Sequence, residues 1–205
     1  MSDVVATEIA TEIAIDQRAV KASSSSVLGM TLFVASEAMF FAAFFGAYFT
    51  IYAATAIWPP LQIPIPEITI SAIATVLLVT SGFTLSAGVG AARKGKASHL
   101  NLWLGVTIVL GVAFLVLQAY DYSNTGFSIH EGTYASLFYV MTGLHMAHVI
   151  GGVLFLILVF FQSRAGEFSI ERQDPVRSAA IYWHFVDIVW VGLFVIFYIL
   201  PQGGS

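Results

Sequence analysis

The sequence predicts an all-α integral membrane protein: a bundle of five transmembrane helices, N-terminus cytoplasmic and C-terminus outside. Three observations predict it. Apolar residues make up 58% of the chain and charged residues only 10%, with a mean hydropathy of +0.86, whereas soluble domains run at about a quarter charged. Five apolar runs reach the roughly 20 residues that a bilayer crossing needs. All eight basic residues fall in segments that five crossings place on one side of the membrane.

The elements follow in order. Residues 1–27 are polar and acidic, with a small duplication (Thr7–Ala10, then Thr11–Ala14) and a run of serines at Ser23–Ser26. They are expected to form a mobile cytoplasmic tail, and they lack the basic start of a signal peptide. The membrane domain then occupies residues 28–205. Its first span lies near 28–52 and is loaded with aromatics, among them Phe33, Phe40, Phe41, Phe44, Phe45, Tyr48 and Phe49. These suit either lipid or a flat contact with a partner subunit. The connection 55–67 carries Trp58 and four prolines, which predicts an extended, stiff crossing of the outer surface. The second span lies near 68–92 and the third near 100–118. The fourth, near 134–161, is longer than a perpendicular crossing and must tilt or protrude. The fifth lies near 179–200.

The sidedness rests on Lys and Arg. Arg18 and Lys21 precede the first span, Arg93, Lys94 and Lys96 follow the second, and Arg164, Arg172 and Arg177 separate the fourth from the fifth. The opposite loops carry only Glu67, Asp121, His130 and Glu131. The six basic residues from Arg93 onward are therefore candidate contacts for lipid headgroups. Cysteine is absent, which excludes disulfides, thiolate metal sites and cysteine nucleophiles. Small residues recur every fourth position in three spans, at Ala38/Ala42/Gly46, Gly82/Ser86/Gly90 and Gly143/Ala147/Gly151. Such stripes let helices approach closely in lipid, and they are expected to be the seams of the bundle.

The residues that point to function are ionisable and lie inside apolar runs: Glu37 in the first span, His145 and His148 in the fourth, His184 and Asp187 in the fifth. Such groups are costly at membrane depth and mark function or a protein–protein seam. Glu37 lies about 13 Å along its helix, at about 1.5 Å per residue, with His184 and Asp187 at similar depth. A Glu–His–His–Asp network across three helices is geometrically allowed. Several chemistries compete for it: a metal site, weakly supported by the HxxH spacing alone; bis-histidine haem; a proton path through Glu37 and His148; or a hydrogen-bonded network that fixes helix register.

Four motifs then carry a resemblance. Ser36-Glu37-Ala38-Met39-Phe40-Phe41 resembles the "SE-x-MFF" signature of subunit III of the haem–copper terminal oxidases. Thr142–Gly152 resembles that family's "TG-x-H-x-x-HV-x-x-G". Trp183–Trp190 is similar to its "WHFVD-x-VW". Leu117–Tyr122 resembles its "LQ-x-x-EY", with Asp121 where the family usually has Glu. The motifs stand in the right order and cover everything after the tail.

The resemblance is to the five-helix bacterial form of the family. It implies a non-catalytic subunit with no haem, copper or other metal and no catalytic residue of its own, in a multi-pass bacterial plasma-membrane complex. Haem and copper belong to the partner subunit I, against which it packs directly, with subunit II in the same complex. It further implies bound phospholipid, stabilisation of subunit I and support of proton uptake as oxygen is reduced to water; no nucleic acid is expected. The motif wording favours an aa3-type cytochrome c oxidase over a quinol oxidase. A haem-bearing membrane anchor or a proton-coupled transporter are the remaining alternatives, and the second is disfavoured by the odd span count and the lack of an inverted repeat.

Overall fold

A computed structural model describes residues 2–60, 62–64, 66–166 and 173–201, with side chains described from residue 25 onward. The described residues form α1 (Ser2–Ala54), α2 (Ile68–Arg93), α3 (Ala97–Asn124), α4 (Thr133–Arg164) and α5 (Asp174–Phe194), and α5 continues into a π-helical turn at Val195–Ile199. All five are long and apolar enough to cross a membrane, the first from Ser25.

The ends of these helices have local causes. Gly95 closes α2 in the left-handed region at φ 67°; its amide donates to Ala92 O at 2.9 Å and that of Lys96 to Ala91 O at 3.1 Å. This returns the chain into α3 within a few residues. Gly166 closes α4 in the same region at φ 78°, its amide donating to Ser163 O at 3.2 Å. Pro175 sits in the first turn of α5, where its missing N–H costs nothing.

Three boundaries differ from the apolar pattern. The first helix is continuous from Ser2, well before the expected 28, so the polar residues ahead of the span extend the same helix. The third helix runs six residues past Gln118, to Asn124, because Asp121 is buried with partners of its own rather than solvated in a loop. The fifth starts at Asp174, five residues before the expected 179, since a polar first turn continues the same helix. Its His184/Asp187 pair consequently lies about 15–20 Å from the helix start at about 1.5 Å per residue, deeper than the apolar run implies.

Helices α2 to α5 pack round one core. The aromatic ring of Trp183 sits at its centre, fully buried. A Cβ added at Gly111 of α3 would stand 2.7 Å from that ring, and one at Gly152 of α4 would stand 2.8 Å from it. Its Nε1–H donates to Ser81 Oγ of α2 at 2.8 Å. One side chain thus joins four helices. Trp190 repeats the theme a turn or two on, donating to Thr75 Oγ1 at 2.9 Å.

Helix α1 is an outlying element that packs on α5 and touches α4. Phe45 lies over Gly192, where a Cβ would meet its ring at 2.9 Å. The hydroxyl of Tyr48 donates to Ile196 O at 2.8 Å, and Tyr134 donates to Phe197 O at 3.3 Å. Both acceptors lie in the π-helical turn, whose widened ladder is thereby held by tyrosines. The proline-rich connection folds back on this end. Trp58 donates to Tyr48 OH at 3.0 Å, and Ile63 and Pro66 are buried.

The small-residue stripes behave differently from expectation. The close approaches occur at Gly82, Gly111, Gly152 and Gly192. Of the predicted stripes only Gly82 is among them. Ala38, Ala42 and Gly46 face away from the bundle, and Ala147 and Gly151 are exposed as well. The seams of this bundle are single glycines under aromatic rings or a carboxylate, and a four-residue period does not reveal those.

Candidate functional site

The five intramembrane ionisable residues occupy three places. Glu37 of α1 meets His148 of α4, with Oε2 3.0 Å from Nε2. Nδ1 of His148 lies 2.8 Å from the carbonyl oxygen of Leu144. A carbonyl only accepts, so Nδ1 carries a hydrogen. Nε2 then either accepts from a protonated carboxyl or, as imidazolium, donates to a carboxylate. Both forms are net neutral and share one proton, which suits a group removed from water. The Phe41 ring packs edge-on against the imidazole at 5.1 Å, and Tyr182 OH of α5 donates to His148 O at 3.0 Å. The pair therefore fastens the outlying α1 to the main bundle.

His184 and Asp187 lie at the α2–α5 seam. Their Nδ1 and Oδ2 are 3.7 Å apart, a polar contact beyond hydrogen-bond length. Nε2 of His184 lies 3.1 Å from Ser86 Oγ. The Asp187 carboxylate rests on Gly82, where an added Cβ would collide with Oδ2. Glycine is required there to let the carboxylate onto the backbone of α2. Asp187 Oδ1 is buried with no hydrogen-bond partner among the described residues.

His145 stands apart from both pairs. It is fully buried, stacked on Trp190 at 5.1 Å and against the edge of Phe114 at 6.0 Å. Neither ring nitrogen has a hydrogen-bond partner among the described residues. Its neighbours make it part of the aromatic core. Among the described residues no group of three or more His, Cys, Asp or Glu side chains is placed to hold a metal ion. The structure thus brings Glu37 to His148 and His184 to Asp187, and assigns His145 to neither pair.

A further polar site was missed in the sequence. Asp121 is buried in the last turn of α3. Its Oδ2 accepts from Tyr198 OH at 2.7 Å, Ser71 Oγ at 3.1 Å and Gln118 Nε2 at 3.5 Å. It joins α2, α3 and the π-helical turn after α5. The available signal was the continued helical spacing of Phe114, Leu117, Gln118 and Asp121, which a charge-based loop boundary overrides.

The basic residues Arg93, Lys94, Lys96, Arg164 and Arg177 are all exposed at one end of the bundle, and the Arg164 guanidinium lies 5.9 Å above the Phe160 ring. Arg172 lies outside the described residues. The Asp121 hub and the proline-rich connection occupy the opposite end.

Substituting Glu37 by Gln is expected to preserve stability, because the amide donates to His148 Nε2 in place of the shared proton. Glu37→Ala leaves that nitrogen without a partner and should cost about 1–3 kcal/mol. Thermal melting of the two variants in lipid nanodiscs checks this; a Glu37→Ala variant as stable as wild type would show that the pair holds nothing.

The chain was compared with known proteins. The family model for cytochrome c oxidase subunit III matches residues 5–202. Over 177 residues the chain is 35% identical to a cytochrome c oxidase subunit 3 from Thermostichus vulcanus, covering 86% of this chain and 88% of that one. Over 175 residues it is 34% identical to the Synechocystis sp. protein of the same name, covering 85% and 75%. Over 176 residues it is 38% identical to the Mus musculus subunit, covering 83% and 67%.

Proposed function

This chain belongs to the cytochrome c oxidase subunit III family, and from that premise we propose that it is the non-catalytic third subunit of a bacterial aa3-type cytochrome c oxidase. It is a part of the respiratory chain, carried in a complex with other oxidase subunits. In this reading the complex lies in the plasma membrane, with the basic end of the bundle toward the cytoplasm. The chain packs directly against subunit I, which holds the haem and copper, and subunit II belongs to the same complex. Its contribution is to stabilise subunit I and to shape the mouth of the proton-uptake path.

The observation that carries this reading is the pairing of the ionisable groups. Glu37 with His148 and His184 with Asp187 each tie one helix to another or to its own seam. Paired groups that fix helix positions suit a scaffold beside the redox chemistry. Purification in mild detergent tests the assignment. A haem- and copper-bearing large subunit should co-purify, and the complex should oxidise cytochrome c. Oxidation of quinol alone would move the chain to the quinol-oxidase branch.

The exposed cations at the basic end are expected to meet anionic phospholipid, each worth about 1 kcal/mol near such a surface. Delipidated oxidase should regain stability further with anionic than with zwitterionic lipid. Equal recovery with both would leave these residues a role in topology alone.

A further inference from the structure

Two layers of the core repeat at seven residues. In the first, the Trp183 ring of α5 lies between Gly111 of α3 and Gly152 of α4, and its N–H goes to Ser81 of α2. Seven residues are close to two turns, at about 3.6 per turn, so a step of seven restores a side chain's direction about 10 Å along the axis. Toward the Asp121 end this step leads from Trp183 to Trp190 and from Gly111 to Gln118. On α4, which runs the other way, it leads from Gly152 to His145. The second layer obeys the repeat. His145 stacks on Trp190 at 5.1 Å, as Gly152 underlies Trp183, and the Trp190 N–H again goes to α2, at Thr75. Where the first layer has two glycines, the second has two polar side chains, both fully buried.

Each of the two has atoms to satisfy. Neither ring nitrogen of His145 has a hydrogen-bond partner among the described residues, and neither does Gln118 Oε1. Chemistry fixes the Gln118 amide: the group 3.5 Å from the Asp121 carboxylate must donate, so it is the NH2, and the oxygen is the other end. A neutral imidazole carries one N–H and one bare nitrogen. The layer therefore holds one donor and two acceptors. The neighbouring hydroxyls are already engaged. Thr142, one turn from His145, is bonded to Phe138 O and Tyr122 OH. Thr75 is bonded to Ser71 O and the Trp190 N–H. Buried polar groups are satisfied by protein or by ordered water, and a buried water takes about two to four polar partners.

We propose that His145 and Gln118 Oε1 hold an internal water between α3 and α4, beside the Trp190 ring. The imidazole N–H donates to the water, and the water donates to Gln118 Oε1. A second water, donating to the bare ring nitrogen, completes the set. Tyr198, Asp121, Gln118, water and His145 then form one hydrogen-bonded thread from the Asp121 end toward the middle of α4. The site is separate from the Glu37–His148 and His184–Asp187 pairs, and it does not depend on which oxidase the chain serves.

The test is made on the assembled oxidase. A map that resolves bound water should show density within hydrogen-bond distance of both a His145 ring nitrogen and Gln118 Oε1. A direct bond between the two side chains, or no density at either, overturns the proposal. His145→Phe and Gln118→Met probe the same link by stability. Phenylalanine keeps the stacking on Trp190 and removes both nitrogens. If the histidine is bridged, His145→Phe strands the Gln118 oxygen and lowers the temperature at which the chain unfolds; if it is dry, the change removes two unpartnered atoms and raises it. The double variant should lose less than the sum of the single losses, because the link is broken once. The long Gln118–Asp121 bond is lost with or without His145 and cancels in that comparison. A stabilised His145→Phe, or losses that simply add, overturns the proposal. Where a variant fails to assemble, the wild-type map decides alone.

Discussion

Trp183→Ala should unfold or nearly unfold the bundle, with a loss of about 3–5 kcal/mol from the cavity and lost burial alone. The ring lies between Gly111 of α3 and Gly152 of α4, and its N–H satisfies Ser81 of α2. Removing it opens a void where four helices meet and leaves a buried hydroxyl with one partner fewer. Trp183→Phe keeps most of the ring and loses the hydrogen bond, so it should cost only a fraction of that. The reciprocal changes Gly111→Val and Gly152→Val should be as damaging as the alanine, because each drives a branched side chain into a ring that is enclosed on every side. Unfolding monitored by tryptophan fluorescence in nanodiscs orders these variants. If Trp183→Ala melted within a degree or two of wild type, the ring would not be the keystone of the bundle.

The second large effect is expected at the opposite end. Asp121→Ala leaves Tyr198, Ser71 and Gln118 without their common acceptor. An orphaned buried polar group costs about 1–3 kcal/mol, and here three donors lose one oxygen together. The π-helical turn loses its side-chain tether to α2 and α3, so its amides should exchange faster. Asp121→Asn retains an accepting oxygen and should be much milder. Hydrogen exchange at Val195–Ile199 in the two variants is the measurement. Protection unchanged in Asp121→Ala would show that Tyr48 and Tyr134 hold the turn without help.

How far these features can be read from the chain depends on the physics behind each. The spans were legible because a bilayer imposes a length and a polarity that any window of residues reveals. The ends were less so: a buried Asp121 looks like a loop residue until its partners are known, and the polar first turn of α5 looks like a linker. The five ionisable residues were legible as anomalies, but how they pair was not. Glu37 reaches His148 because α1, packed on α5, touches α4 at that level, and His145, three residues earlier, points instead to Phe114 and Trp190. The π-helical turn was invisible, since the tyrosine hydroxyls that donate to its carbonyls come from α1 and α4, far away in sequence. Small-residue periodicity marked surfaces of close approach, yet two of its three stripes line the outside of this bundle rather than its interior.

We propose that this subunit supports a redox partner by packing and by proton supply and performs no electron transfer itself. Oxidase stripped of the chain, compared with the same preparation after the chain is added back, tests it most directly through the pH profile of oxygen consumption and the number of turnovers before inactivation. The stripped enzyme should match the complete one at low pH, fall behind as pH rises and protons become scarce, and lose activity within fewer turnovers; re-addition should restore both. An identical pH profile and an identical lifetime per turnover with and without the chain would contradict the claim.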